Sequence, residues 1–327
     1  MKCIAIILSG GTGSRMNMDI PKQYVQVGGR MIITESIITF AGSGLIDGIQ
    51  IVADKQWQDN ILKEYAENVK SISSGAPDKD ADTEHSDEVI PYKFTGFSAP
   101  GANRQLSILN ALRDIRQNMD YDDIVIIHDA ARTLVTVGMI TAYIEAIYDK
   151  PPKSPAYSLD KPPKSPADSL DKPSKSSAGS LDKPSKSPVD SLDSATKPSA
   201  SAGSLDNMEI SGMHNHSEES DRIRHDGVMP VIPMKDTVYY SDNGSSVSRL
   251  LDRDRMFAGQ APEVFRYWRY LDACEKLMPD RIMDIRGSTE PAIMAGLDVV
   301  MVPGDEKNFK ITTIEDMERY REIVDGR

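Results

Sequence analysis

An α/β fold built on a mostly parallel sheet is what this sequence predicts, on three observations. Ile4-Ala5-Ile6-Ile7-Leu8 is an apolar, β-branched run of the kind buried in parallel sheets. Runs at 48–52 and 124–127 share that character, and stretches with helical spacing lie between them. Glycines and charged residues crowd the carboxyl ends of the first and third runs, where open α/β sheets gather ligands.

The loop after the first run carries most of the chemistry. Ser9-Gly10-Gly11-Thr12-Gly13-Ser14-Arg15-Met16 is followed by Pro21-Lys22-Gln23-Tyr24. Glycines let backbone N–H groups turn toward an anion with no Cβ in the way. Arg15 and Lys22 add two fixed positive charges, and such a cradle suits a triphosphate. Met16 takes the place of the third glycine of a dinucleotide fingerprint, and no Gly-Lys-Ser/Thr follows to make a P-loop. The plainer alternative is a tight turn with solvated charges.

The remaining elements follow in order. Residues 31–40 have helical spacing and stop at Gly42-Ser43-Gly44. Residues 48–52 are a strand, and 57–65 a polar surface helix. Residues 73–92 form an acidic, Ser/Asp-rich loop, expected to be flexible. A strand at 93–97 leads to Pro100-Gly101-Ala102-Asn103-Arg104-Gln105-Leu106-Ser107 and an amphipathic helix N-capped by Asn103. Arg104 and Ser107 share a face near its start. The strand 124–127 runs into His128-Asp129-Ala130-Ala131-Arg132, and a carboxylate there suits Mg²⁺ on nucleotide phosphates, or simply a cap. Ile140, Ile144 and Ile147 mark the next helix.

From 150 to 225 the character changes. Ser-Leu-Asp recurs at 158, 169, 180 and 191 and returns at 204. Prolines in nearly every unit exclude a helix, and the apolar content is too low to offset ordering entropy. This tract is expected to be disordered. His214 and His216 lie in its tail. Residues 228–236 then read as a strand whose prolines suit an edge. Residues 237–240 and 247–251 flank Asp242-Asn243-Gly244, a hairpin signal. Val264, Trp268, Leu271 and Cys274 fall on one helical face, Ser288-Thr289-Glu290-Pro291 opens a short helix, and 299–302 and 308–311 read as strands. Thr312 and Glu315 start the last helix with capping-box spacing. The ordered part thus reads as one domain, 1–149 with 226–327.

A net charge of −12 argues against nucleic acid or an anionic membrane as the main partner. Two cysteines, Cys3 and Cys274, make no disulfide framework and fit a reducing compartment. The first apolar run is too short for a signal peptide and no stretch reaches membrane-span length, so a cytoplasmic protein is expected.

Taken together, GGTGSRM…PKQY, PGANRQLS, HDAAR, PMKDT, LLDRDRMFAGQAPEVF and NFKITTIEDM form an ordered set. The chain resembles the 2-C-methyl-D-erythritol 4-phosphate cytidylyltransferases, with the related ribitol-5-phosphate cytidylyltransferases. The resemblance implies a Rossmann-like nucleotidyltransferase sheet with a protruding β-hairpin arm, about 236–257, that joins a homodimer. It implies CTP and a polyol phosphate as substrates and Mg²⁺ as cofactor. By the same resemblance Arg15, Lys22 and Lys310 are catalytic. Ser9, Gly10, Gly11, Gly13, Gly101, Ala102, Ser107 and Ala130 line the nucleotide. Asp129 sits beside Mg²⁺ and the alcohol substrate, with Arg132, Thr237 and Arg253 also binding that substrate. Three positions depart from the family's pattern: Ala261 stands in place of a threonine, Thr133 of a proline, and Pro100 of a glycine.

Overall fold

The computed structural model describes residues 1–11, 20–73, 92–148 and 225–326. All of them fall in one compact unit made of 1–155 and 222–327. The expectations for Gly13, Arg15, the bulk of the acidic loop and the repeat tract with His214 and His216 lie outside the described residues.

Strand β1 (Cys3–Leu8) pairs in parallel with β4 (Gly48–Val52) and with β6 (Ile124–Asp129), and β4 pairs in parallel with β5 (Phe94–Ser98). Because side chains alternate across a strand, β1 feeds two cores. Ala5 and Ile7, with Ile124 and Ile126 of β6, meet α1 (Ile32–Gly42), α2 (Lys55–Ser73) and α4 (Val137–Glu145) through Ile37, Phe40, Tyr65 and Ile144. Ile4 and Ile6, with Val125 and Ile127, meet α3 (Arg104–Asp114) and α5 (Tyr267–Glu275) through Ile108, Leu112, Tyr267 and Tyr270. A fully buried isoleucine contributes about 1.5–3 kcal/mol relative to exposure. Layers this apolar on both faces account for the near-continuous Ile/Val runs of β1 and β6. Asn103 caps α3 as expected, accepting from Leu106 N at 2.8 Å.

The second half of the chain extends the sheet past β6. Strand β11 (Glu263–Arg266) pairs antiparallel with β6 and with β7 (Gly227–Pro233), while β10 (Phe257–Gly259) pairs antiparallel with β7 and β12 (Val299–Pro303) pairs with it in parallel. The expected edge position of β7 is therefore corrected: it has neighbours on both sides. Pro230 is tolerated because β11 reaches only Gly227 and Val228 and β10 only residues 231–233, so it falls in the gap between them, and Pro233 is the last residue of the strand.

Four other expectations are corrected. Val264 is in β11, not on the helix, which begins at Tyr267. Residues 308–311 are not a strand. Ile311 instead packs with Met317 and Tyr320 beneath α7 (Ile314–Asp325). The capping box is one residue later than read, Thr313 with Asp316. The arm's ribbon is short: β8 (Tyr239–Tyr240) pairs with β9 (Arg249–Leu250), and Asn243 Oδ1 organises the serine-rich turn by accepting from Ser245 N and Ser246 N. A small ribbon of β2 (Gln26–Val27) and β3 (Arg30–Met31) precedes α1, and the short helix α6 (Glu290–Met294) follows Ser288 and Thr289.

Candidate active site

The site is built where β1 and β6 end and β11 begins. Beyond β1, Ser9 is buried, with its hydroxyl on Val52 O at 2.6 Å. Its carbonyl accepts from the Gln23 amide and from Tyr24 OH at 2.9 Å, and Gln23 Nε2 also reaches Gly11 O at 2.6 Å. Since a trans peptide sets N–H opposite C=O, pinning the Ser9 carbonyl aims Gly10 N–H away from Gln23 and Tyr24. Gly10 has no room for a Cβ, which would stand 2.6 Å from Pro100. Gly101 is equally confined: a Cβ would lie 2.7 Å from the backbone carbon of Leu106. Gly101 N donates to Ser107 Oγ at 2.9 Å, and that hydroxyl donates to Asn103 O. Ala102 is exposed beside them.

Asp129 closes β6 and is 9% exposed. Arg104, the first residue of α3, donates to its Oδ1 from Nε at 3.2 Å and from Nη2 at 2.9 Å. Lys310 Nζ donates to Oδ2 at 2.9 Å, and Arg132 Nε stands 3.8 Å from the same oxygen. Arg132 is anchored by donating from Nη1 to Asn308 O at 2.7 Å. Burial alone would raise the Asp129 carboxyl, but Arg104, Lys310 and Arg132 override it and hold it well below the usual carboxylate range. Lys22 Nζ donates to Ile311 O, so the lysine of the first loop reaches the chain directly beside Lys310. Ala130 continues the turn, donating its N–H to Leu8 O at 3.1 Å.

The structure thus brings together Ser9, Gly10, Gly11, Lys22, Gly101, Ser107, Asp129, Ala130, Arg132 and Lys310. It does not bring Thr237 or Arg253 to them within this chain. Thr237 is exposed on the arm, and Arg253 Nη1 donates to Lys235 O at 2.9 Å. Several residues here were not singled out as site residues from sequence: Gln23, Glu263, Asn308, and Arg104 beyond its shared face with Ser107. Gln23 and Asn308 lie inside recognised motifs, and only their burial, 4% and 0% exposed, marks them as structural pins. Among the described residues, no three His, Cys, Asp or Glu side chains converge in a metal-binding group.

His128 lies behind Asp129, fully buried, with Nε2 3.2 Å from Arg132 O and 3.3 Å from Ser36 Oγ. Burial, reinforced by Arg132 and opposed by Asp129, lowers it to about 3 from an ordinary 6.5. Between these values the unfolded chain binds a proton that the folded chain does not. Stability therefore falls as pH drops through that window, by at most about 1.4 kcal/mol per pH unit from this group. Urea unfolding from pH 7 to 4 should show a steeper loss for the wild-type protein than for His128→Gln.

A separate cavity of about 660 Å³ opens between the β2–β3 ribbon and α2, lined by Tyr24, Arg30, Trp57, Lys63 and Glu64 among others. It shares no residue with the cationic cluster.

The family model described as IspD: 2-C-methyl-D-erythritol 4-phosphate cytidylyltransferase matches residues 3–159 and 213–325. The chain belongs to the IspD family. The 2-C-methyl-D-erythritol 4-phosphate cytidylyltransferase of Nitrosomonas eutropha is 23% identical over 332 residues, covering 100% of this chain and 98% of its own. The ribitol-5-phosphate cytidylyltransferase of Streptococcus agalactiae serotype V is 22% identical, covering 100% and 97%. Among solved structures, the Francisella tularensis 2-C-methyl-D-erythritol 4-phosphate cytidylyltransferase superposes with a TM-score of 0.58 at 19% identity, covering 98% of this chain and 99% of that one. An Anaerococcus prevotii 4-diphosphocytidyl-2C-methyl-D-erythritol synthase gives 0.57 at 17%, covering 99% and 96%. At these identities the superpositions speak for the fold. As a member of the IspD family, this protein is a CTP-dependent nucleotidyltransferase, a cytidylyltransferase.

Proposed function

We propose that this cytidylyltransferase joins CTP to 2-C-methyl-D-erythritol 4-phosphate, giving the CDP-alcohol and pyrophosphate for isoprenoid precursor synthesis in the cytoplasm. The observation that carries the site assignment is the meeting of Lys22 and Lys310 beside Asp129 at the carboxyl end of β6. An oxygen of the substrate's phosphate attacks the α-phosphorus of CTP in line. The bond to the β-phosphate bridging oxygen breaks, and pyrophosphate leaves with its electron pair. A phosphate monoester is already anionic near neutral pH, so positioning and charge neutralisation dominate over proton removal. In this reading Gly10, Gly11 and Gly13 present N–H groups to the triphosphate. Ser9, Gly101, Ala102, Ser107 and Ala130 line the cytidine. Arg15, Lys22 and Lys310 offset the charge that develops as pyrophosphate departs. Asp129 and Arg132 orient the alcohol phosphate.

Mg²⁺ fits as an ion carried in by the nucleotide. Mg²⁺ is commonly held by one or two carboxylates plus substrate phosphates, and Asp129 is a single carboxylate at the strand end. Both its oxygens accept from cations, so Arg104 or Lys310 must turn toward the phosphates for it to meet the ion. When bound, the ion supplies further neutralisation of phosphate charge.

A second reading, ribitol 5-phosphate as the acceptor, is supported by the ribitol-5-phosphate cytidylyltransferase relative at 22% identity beside the methylerythritol enzyme at 23%. Ala261, which offers no hydroxyl where the methylerythritol enzymes usually carry threonine, weakens the preference for methylerythritol phosphate. We further propose that 1–149 with 226–327 is the catalytic domain and that 150–225 is an inserted spacer. Pyrophosphate release with each polyol phosphate and each NTP tests the assignment. Methylerythritol phosphate with CTP should be fastest, and activity on ribitol phosphate alone would reverse the order. Replacing 151–223 with a short Gly/Ser linker should keep kcat within about twofold, because closure entropy grows slowly with loop length. Abolished activity in a folded deletion variant would make the tract functional.

A further inference from the structure

Glu263 is a buried carboxylate with no part in the roles above. It opens β11, paired in register with Ile127 of β6, two residues before Asp129. Cross-strand partners share a face, and residues two apart on a strand do too. Glu263 and Asp129 therefore stand on the face covered by α3, whose first residue is Arg104. A carboxylate 7% exposed must find partners. Ser288 Oγ donates to Oε2, and Thr289 Oγ1 donates to Oε1 at 2.6 Å. Both hydroxyl residues are themselves buried, and Ser288 is tied again by Tyr270 OH donating to its carbonyl at 2.6 Å. The carboxylate is thus fixed from behind, with its open side toward Arg104.

Arg104 Nη2 lies 2.9 Å from Asp129 Oδ1 and 3.9 Å from Glu263 Oε2. Nη1 is enclosed and has no hydrogen-bond partner among the described residues. Held by Asp129 alone, the guanidinium could pivot about that contact. A second anion, 3.9 Å from that same Nη2, adds a charge contact that opposes this pivot. Burial pushes the Glu263 carboxyl up, and Arg104 with the two hydroxyls opposes that shift.

We infer that Glu263 is a positioning residue: anchored by Ser288 and Thr289, it sets the Arg104 guanidinium against Asp129, and through it the register in which Asp129 and Lys310 meet the substrates. The inference rests on the reading of the Asp129 cluster as the reaction centre. Its role differs from that of a packing residue, because its charge acts on named cations of the cluster, Arg104 first and the Arg132 guanidinium second.

A double-mutant cycle tests it, with CTP and 2-C-methyl-D-erythritol 4-phosphate and Asp129→Asn as a reference. Glu263→Gln keeps shape and removes charge. It should lower kcat about tenfold, the scale of a lost positioning contact, with KM for CTP changed less than about twofold. In an Arg104→Ala background the same change should cost less than about twofold more. Ser288→Ala, which keeps the carboxylate but removes the anchor on Oε2 and leaves only Thr289 on Oε1, should lower kcat about threefold and only where Arg104 is present; it serves alone if Glu263→Gln fails to fold. Equal losses in both backgrounds, or an unchanged kcat, would overturn the inference while leaving the site assignment intact. An Asp129→Asn enzyme with wild-type kcat would overturn the site assignment and the inference together.

Discussion

Lys310→Ala should lower kcat by about 10²-fold or more, the scale for losing one preorganised charge contact to a developing anion. Its ammonium is the cation shared between Asp129 and the neighbourhood of Lys22, which bonds the next carbonyl along, Ile311 O. In the free enzyme its loss leaves Asp129 with Arg104 and Arg132, so the carboxylate stays compensated and the fold should hold. Circular dichroism should be unchanged and melting close to wild type. KM for CTP should rise less than kcat falls if Lys310 has the role proposed, since the charge it would meet is largest in the transition state. Lys22→Ala should behave alike. Wild-type turnover in either variant would remove that lysine from the mechanism.

Arg253→Ala should be almost as damaging, for a reason that lies outside the single chain. Arg253 is on an exposed arm, and no hydrogen bond or ion pair among the described residues ties it to the Asp129 cluster. The arm also exposes Tyr239, Val247 and Leu250, at 59%, 66% and 63%. A two-stranded ribbon is marginal in water, and a twofold dimer in which each arm packs on the other subunit would cover it. Each site would then combine Lys22 of one chain with Arg253 of the partner subunit. Lys22→Ala and Arg253→Ala homodimers should each be nearly inactive. Mixed equally under exchange conditions, half the dimers pair one of each and carry one intact site of two, so about a quarter of wild-type activity should return. Confirmed heterodimers without activity would place Arg253 in the site of its own chain.

The sequence is most legible where the sheet is buried on both faces. β1, β4 and β6 read directly from their apolar runs, and Asp129 follows from the rule that ligands gather at strand ends. Legibility fails where an element is short or serves two neighbours. β11 has four residues and runs straight into α5, so its apolar positions merge with a helical pattern and Glu263 goes unnoticed. Residues 308–311 alternate like a strand, yet Phe309 lies under Arg319 and Ile311 under Tyr320, so the pattern reports docking of α7. The approach of Lys22 to Ile311, 289 residues apart, is tertiary and carries no local signal.

CTP is expected to lie with its phosphates in front of Asp129, Lys310 and the glycines after β1. A crystal structure of the enzyme with CTP and Mg²⁺ tests it most directly. Phosphate oxygens should fall within hydrogen-bond distance of Lys310 Nζ and Gly10 N–H, with the ribose toward Gly101 and Ser107. A nucleotide seated instead in the cavity between Trp57 and the β2–β3 ribbon would contradict it.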